Sequence, residues 1–200
     1  MKNIKYLLIF LVVNLNIIYC NIKMNDTLIN LKKLYGNEDI VGKISFINTD
    51  IDEIIVQSKD NSFYNTHNLN KEKDIKGSIY LDYRTNLNSK QIILYGHNSN
   101  LYDVPFKKLN NYIKKDYYEK HKYIEIFDGQ TITKYLIFSV NITQSNEHLK
   151  IDNSIEHLEK LKTSLFETNV NVSIDDKLLI IQTCYLDKPN TYIIILAKKL

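Results

Sequence analysis

Residues 175–197 read DDKLLIIQTCYLDKPNTYIIILA, and the reading of this stretch decides the fold. LLIIQT and YIIILA are short apolar runs rich in β-branched residues, bounded by charged and turn-forming positions. They read as two buried strands joined by a loop through Lys188 and Pro189. Cys184 stands where the first run stops.

Six more runs of the same kind precede these two: VGKISFI, DEIIVQS, GSIYLDY, KQIILYG, KYIEIFD and TKYLIFSVNI. Eight short β-rich runs predict a mainly β protein, a closed or nearly closed barrel. Helices interrupt them. DTLINLKKLYG predicts an amphipathic N-terminal helix, capped by Asp26, with Leu28, Leu31 and Leu34 at helical spacing and Gly36 at its end. Residues 104–121 predict a second helix with Phe106, Leu109, Tyr112, Ile113 and Tyr117 on one side. Asn153-Ser-Ile-Glu156 has the pattern of a capping box and opens a third predicted helix over 153–166, with Ile155, Leu158, Leu161 and Leu165 as its buried stripe. No repeat or flexible linker divides the chain, so residues 26–200 are expected to form one domain.

The 200 residues are 44% hydrophobic and 24% charged, enough to bury a sizeable core. The net charge of +3 resides in Lys2, Lys5 and Lys23, which leaves residues 26–200 neutral. A neutral body lacks the basic footprint that nucleic acid requires. The first 25 residues place Lys2 and Lys5 before an uncharged run from Tyr6 to Ile22 that only Asn14 and Asn16 make less apolar. No small-residue cleavage site follows it, so this segment is expected to be an uncleaved signal anchor, with the body outside the cell membrane. Cys20 falls in that run and reads as one of its apolar residues.

Cys184 is then the lone thiol of an exported domain, unable to form an internal disulfide. Of the five histidines, His121 and His157 read as solvated helix residues, and His67 and His148 as loop residues without further signal. His97 differs because IILYGHN sets it just past a buried strand and a glycine, where a rigid scaffold presents side chains to a cleft. A thiol and an imidazole together suit nucleophilic catalysis: the thiolate attacks and the imidazolium protonates an amine leaving group. Acidic residues are dispersed and neither His nor Cys occurs at ligand spacing, so no metal or cofactor is expected.

IIVQSKDN (54–61), GSIYLDYR (77–84), IILYGHN (92–98) and DDKLLIIQTC (175–184), in that order, resemble the class B sortases, membrane-anchored cysteine transpeptidases of Gram-positive bacteria. The resemblance implies an eight-stranded sortase barrel with an N-terminal helix and a helix before the cysteine-bearing strand. It implies that Cys184 attacks the threonine carbonyl of a C-terminal sorting signal on a secreted protein, with His97 as acid and base. An amine, commonly from a peptidoglycan precursor, then resolves the acyl-enzyme. Thr183 matches the family's TC motif and is expected in the substrate floor, beneath the connection that carries the 153–166 helix.

One family residue is missing. The catalytic arginine belongs at the start of the last strand, where this chain has Tyr192, and the only arginine is Arg84. Tyr192 can donate a hydrogen bond without charge, and Lys188 offers charge without a planar fork; each also reads as an ordinary packed tyrosine or solvated lysine. Ile181-Gln182 stands where the family often has Leu-Ser, and SNLYDVPF follows the histidine motif in place of the usual glycine-serine-methionine-phenylalanine. Three readings follow: an active transpeptidase, an impaired relative that binds sorting signals without efficient turnover, and a structural barrel with a buried cysteine.

Overall fold

The computed structural model describes Tyr6, Phe10, residues 12–14 and residues 27–200. The expected anchor over residues 1–25, Cys20 and the Asp26 cap fall almost entirely outside these residues. Among the described residues, no helix is long and apolar enough to cross a membrane.

Eight strands close into a barrel: β1 (Ile40–Phe46), β2 (Asp52–Val56), β3 (Ile79–Leu81), β4 (Gln91–Tyr95), β5 (Tyr123–Phe127), β6 (Ile132–Thr143), β7 (Leu178–Cys184) and β8 (Tyr192–Lys199). Their order around the barrel is β1-β2-β3-β4-β7-β8-β6-β5. Pairing is antiparallel except for β2 with β3 and β4 with β7, which run parallel. Each of the eight predicted runs supplies one strand.

The period-two alternation of side chains separates two cores. Ile44, Ile55, Leu81, Leu94, Ile181 and Ile195 fill the barrel interior. Tyr80, Tyr95, Ile180, Ile194 and Leu196 point outward, into a second cluster covered by Leu158 and Leu161. Strands β7 and β8 therefore read as unbroken apolar runs because both faces are buried. Each fully covered isoleucine or leucine contributes roughly 1.5–3 kcal/mol of transfer free energy.

Helix α1 covers residues 27–35 and lays Leu28 and Leu31 against the outer cluster, while Leu34 is exposed. Gly36 ends it with φ 58°, and the bonds Asn37 N–H to Lys32 O and Gly36 N–H to Lys33 O form a Schellman closure. The expected single helix over 104–121 is two pieces, a 3₁₀ segment (Pro105–Ile113) and helix α2 (Lys115–Lys120), separated at the extended Lys114. Phe106, Leu109 and Tyr112 recur every third residue, which aligns them on one ridge at 3.0 residues per turn, and all three are buried in the barrel core.

The expected helix over 153–166 is shorter as well. Helix α3 spans Ile155–Leu161, and its cap is Ser154, whose Oγ accepts from His157 N–H, not Asn153. Glu156 is consequently one position too early to complete a capping box. Leu158 and Leu161 are buried, but Ile155 and Leu165 are exposed. The chain leaves the helix because β6 captures it: Leu165 N–H bonds to Val140 O, Ser164 Oγ to the Val140 backbone and Ser139 Oγ to Thr163 O. His157, expected to be solvated, is buried beneath α3.

Candidate active site

Cys184 is the last residue of β7, and its side chain is exposed, which rules out the buried-cysteine reading. Alternation from Ile180 through Gln182 turns it to the outer face of the barrel wall, at the rim. The wall beneath still desolvates it, and this pushes the thiol above the ordinary cysteine range. Burial thus disfavours the thiolate, and a base would have to offset it for this thiol to act as a nucleophile.

The base candidate arrives from β4. The parallel register pairs Tyr95 with Gln182, and three hydrogen bonds continue it past the end of β4. Gly96 N–H donates to Gln182 O (3.3 Å), Thr183 Oγ donates to Gly96 O (2.8 Å), and Asn98 Nδ2 donates to Cys184 O (2.8 Å). His97 lies between two residues so tied, which keeps its backbone about one strand spacing, roughly 5 Å, from that of Cys184. Asn98 is buried and also exchanges amide hydrogen bonds with Asn110, so the tether is rigid. Thr183 is buried and its hydroxyl is committed to Gly96; it sets the spacing of the two motifs from below.

The His97 ring has a defined tautomer. Its Nε2 lies 2.6 Å from Asn65 O, in the segment between β2 and β3. A carbonyl oxygen has no proton to give, so Nε2 carries the hydrogen, and in the neutral ring Nδ1 holds the free lone pair. A base so held can accept one proton, at Nδ1, without leaving its carbonyl.

Tyr192 opens β8 directly opposite Cys184. Tyr185 N–H donates to Thr191 O at 2.8 Å, so the neighbouring pair is hydrogen-bonded and Cys184–Tyr192 is a non-hydrogen-bonded pair. Such pairs bring side chains on one face closest together. The other neighbour of Tyr192 is Thr143 on β6, and a cleft of about 280 Å³ lined by Thr143, His148, Lys160, Ile194 and Leu196 continues this face. Lys188 is exposed in the β7–β8 loop, and its ammonium makes no ion pair among the described residues.

The sole arginine is engaged elsewhere. Arg84 donates from Nε and Nη2 to the two oxygens of Asp82 (2.8 and 2.7 Å) and from Nη2 to Leu149 O (3.1 Å). Asp82 is fully buried and also accepts from Tyr95 Oη (2.8 Å), Asn61 Nδ2 (3.0 Å) and Arg84 N–H (2.9 Å). Burial alone would raise this carboxyl; the hydrogen bonds led by Arg84 outweigh it and hold the group down at about 2. Burial first, then the charges of Asp82 and Cys184, push the Tyr80 phenol up to about 12, and its ring stacks on Tyr95.

Sequence reading passed over His148 as a plain loop residue. It is buried, its Nε2 is hydrogen-bonded to Gln182 Oε1, and burial pushes its imidazole below the usual histidine range. With Arg84 on Leu149 and Gln91 Nε2 on Asp152 O (2.7 Å), it pins the β6–β7 connection over the outer face as a roof beside Cys184. Nothing local to residues 146–149 signals this, because the partners lie on strands far away in sequence. Asn98 and Asn65 each sit within reach of the histidine motif in space, and only Asn98 adjoins it in the chain.

No protein-family profile matches the chain. It is 36% identical over 178 residues to sortase B of Listeria monocytogenes, spanning 84% of this chain and 71% of that protein. Among solved structures it is similar to Clostridium perfringens sortase B, with a TM-score of 0.76 and 31% identity over 86% of this chain and 98% of that one. It is also similar to a Staphylococcus aureus sortase B–substrate complex, with a TM-score of 0.78 and 29% identity over 88% and 85%.

Proposed function

This chain belongs to the class B sortases, a family of cysteine transpeptidases, and on that premise we propose that it cleaves C-terminal sorting signals through an acyl-enzyme on Cys184. The observation that supports the reading is the lacing of GHN to QTC, which ties the backbone on either side of His97 to the strand end that carries the exposed Cys184.

In the proposed reaction, His97 Nδ1 takes the Cys184 proton as Sγ attacks the threonine carbonyl carbon of the signal. The Tyr192 hydroxyl donates to the oxyanion from the adjacent strand, the work of the absent arginine. Collapse breaks the C–N bond, and the imidazolium protonates the departing amine, leaving a thioester. An acceptor amine, from a peptidoglycan precursor or a similar donor, attacks the thioester and passes its proton through His97 back to the cysteine. Lys188 supplies positive charge at the mouth of the site. Residues 1–25 hold the protein in the cell membrane as a single-pass anchor, with the catalytic domain outside; the support is the order of Lys2, Lys5 and the uncharged run.

The test uses residues 26–200 and a panel of sorting peptides. Mass spectrometry is expected to find the released C-terminal fragment and an acyl adduct on Cys184, both absent in Cys184→Ala. Peptide binding that survives Cys184→Ala, with no cleavage by the parent and a thiol that reagents reach, would instead identify an impaired relative.

A further inference from the structure

We infer that Gly77 is the positioning residue that keeps His97 in its working tautomer, an inference that rests on His97 being the acid and base. Gly77 has φ 59°, and a Cβ built on it would lie 2.7 Å from Tyr64 O, 2.9 Å from Asn65 O and 3.0 Å from His97 Cδ2. Contacts under 3.0 Å to backbone oxygens cannot be relieved by a side-chain rotation. Both of those oxygens are in use: Tyr64 O accepts from Ser78 N–H (2.9 Å) and Asn65 O accepts from His97 Nε2 (2.6 Å). Cδ2 is the ring carbon bonded to Nε2, so the added methyl would wedge into the hydrogen bond that fixes which nitrogen carries the proton.

The surrounding loop offers no slack. Gly77 N–H donates to Asp74 O (3.0 Å), Asp74 N–H to Thr66 O (2.8 Å) and Ser78 Oγ to His67 O (2.9 Å). Ser78 leads directly into β3, whose position is set by the barrel. With Gly77 held by these bonds and by β3, the Tyr64 and Asn65 carbonyls are what would have to yield, and Asn65 O would then move off His97 Nε2–H. Without Asn65 O on Nε2–H, the neutral imidazole loses its preference for a free Nδ1 and presents a mixture of tautomers.

Gly36 isolates this effect from backbone strain. It has φ 58°, and a Cβ there would meet nothing within 4 Å. Alanine at either position imposes the same left-handed penalty, but only at Gly77 does it reach the histidine. Asparagine separates the two causes further, since it tolerates positive φ yet still carries a Cβ.

The experiment compares the parent with Gly77→Ala, Gly77→Asn and Gly36→Ala by ¹⁵N NMR of His97, the pH profile of Cys184 alkylation and, with a cleaved peptide, kcat and KM. The parent is expected to show protonated Nε2 and unprotonated Nδ1. Both Gly77 variants are expected to show mixed tautomers and to lose about 10- to 100-fold in kcat with KM little changed, while Gly36→Ala keeps the parent spectrum and kcat. A parent spectrum with protonated Nδ1 overturns the inference, as does a Gly77→Asn variant restored to parental tautomer and rate, which would reduce Gly77 to a backbone requirement. If Gly77→Ala does not fold, Gly77→Asn and the parent spectrum decide by the same criteria. The spectrum and alkylation need no peptide, so a parent that cleaves none would sink the transpeptidase reading while still judging Gly77.

Discussion

Asp82 and Cys184 stand at strand ends on the same outer face of one barrel, in opposite surroundings. Asp82 is fully buried and collects hydrogen bonds from Arg84, Tyr95 and Asn61, which join the end of β3, strand β4 and the preceding loop; through Arg84 it also reaches the β6–β7 connection. Cys184 is exposed and Tyr192 half-buried, and neither Sγ nor Oη has a hydrogen-bond partner among the described residues. The difference separates frame from chemistry. Buried polar groups left without partners cost about 1–3 kcal/mol each, and both oxygens of Asp82 are satisfied accordingly. The rim groups are not, as the proposed reaction requires of a nucleophile and an oxyanion donor that must stay available.

The comparison can be broken at the frame. Asp82→Ala leaves the Arg84 guanidinium and the Tyr95 hydroxyl without their acceptor and is expected to lower unfolding stability by about 3 kcal/mol, measured by urea titration. A loss below about 1 kcal/mol would make the hub an ordinary surface pair and the contrast empty.

The rim can be sharpened by restoring the family's charge. Tyr192→Arg is expected to raise kcat/KM about 100-fold. It should also move the Cys184 alkylation profile to lower pH, because a guanidinium beside the sulfur favours the thiolate that burial now disfavours. An alkylation shift with no gain in turnover would mean that the guanidinium is near the sulfur but not aimed at the oxyanion.

The smallest effect is the acid response of the hub. The folded Asp82 carboxyl is depressed to about 2, so its contribution is present above the unfolded value near 4 and is lost as pH falls through the folded value. Between about pH 4 and pH 2 the parent should lose about 2 kcal/mol that Asp82→Ala does not have to lose. Equal slopes in the two proteins would contradict the assigned role of this carboxylate.

The strands were legible because alternation and β-branched content act locally. LLIIQT and YIIILA could hardly be anything but buried strands, and GHN and TC marked the candidate chemistry. The helices were less legible. The 106, 109, 112 spacing also fits an α-helix over a short window, and only packing into the barrel end selects three residues per turn. The 153–166 pattern fails after Leu161 because Ser164 and Leu165 bind the β6 backbone, partners more than 20 residues away. His157 read as a solvated helix residue and His148 as a loop residue without further signal, since their burial depends on where the connection lands.

By itself, the sequence determined which segments are strands, that a thiol ends one of them and an imidazole follows another, and that residues 185–200 hold no arginine. Those properties belong to single residues and their immediate neighbours. Tertiary structure alone decided that the site is on the outer face, that Tyr192 stands opposite the thiol, that Asn65 O leaves Nδ1 of His97 free, and that Arg84 is committed to Asp82. Each depends on the register between segments remote in the chain, and register is set by closing the barrel around one core.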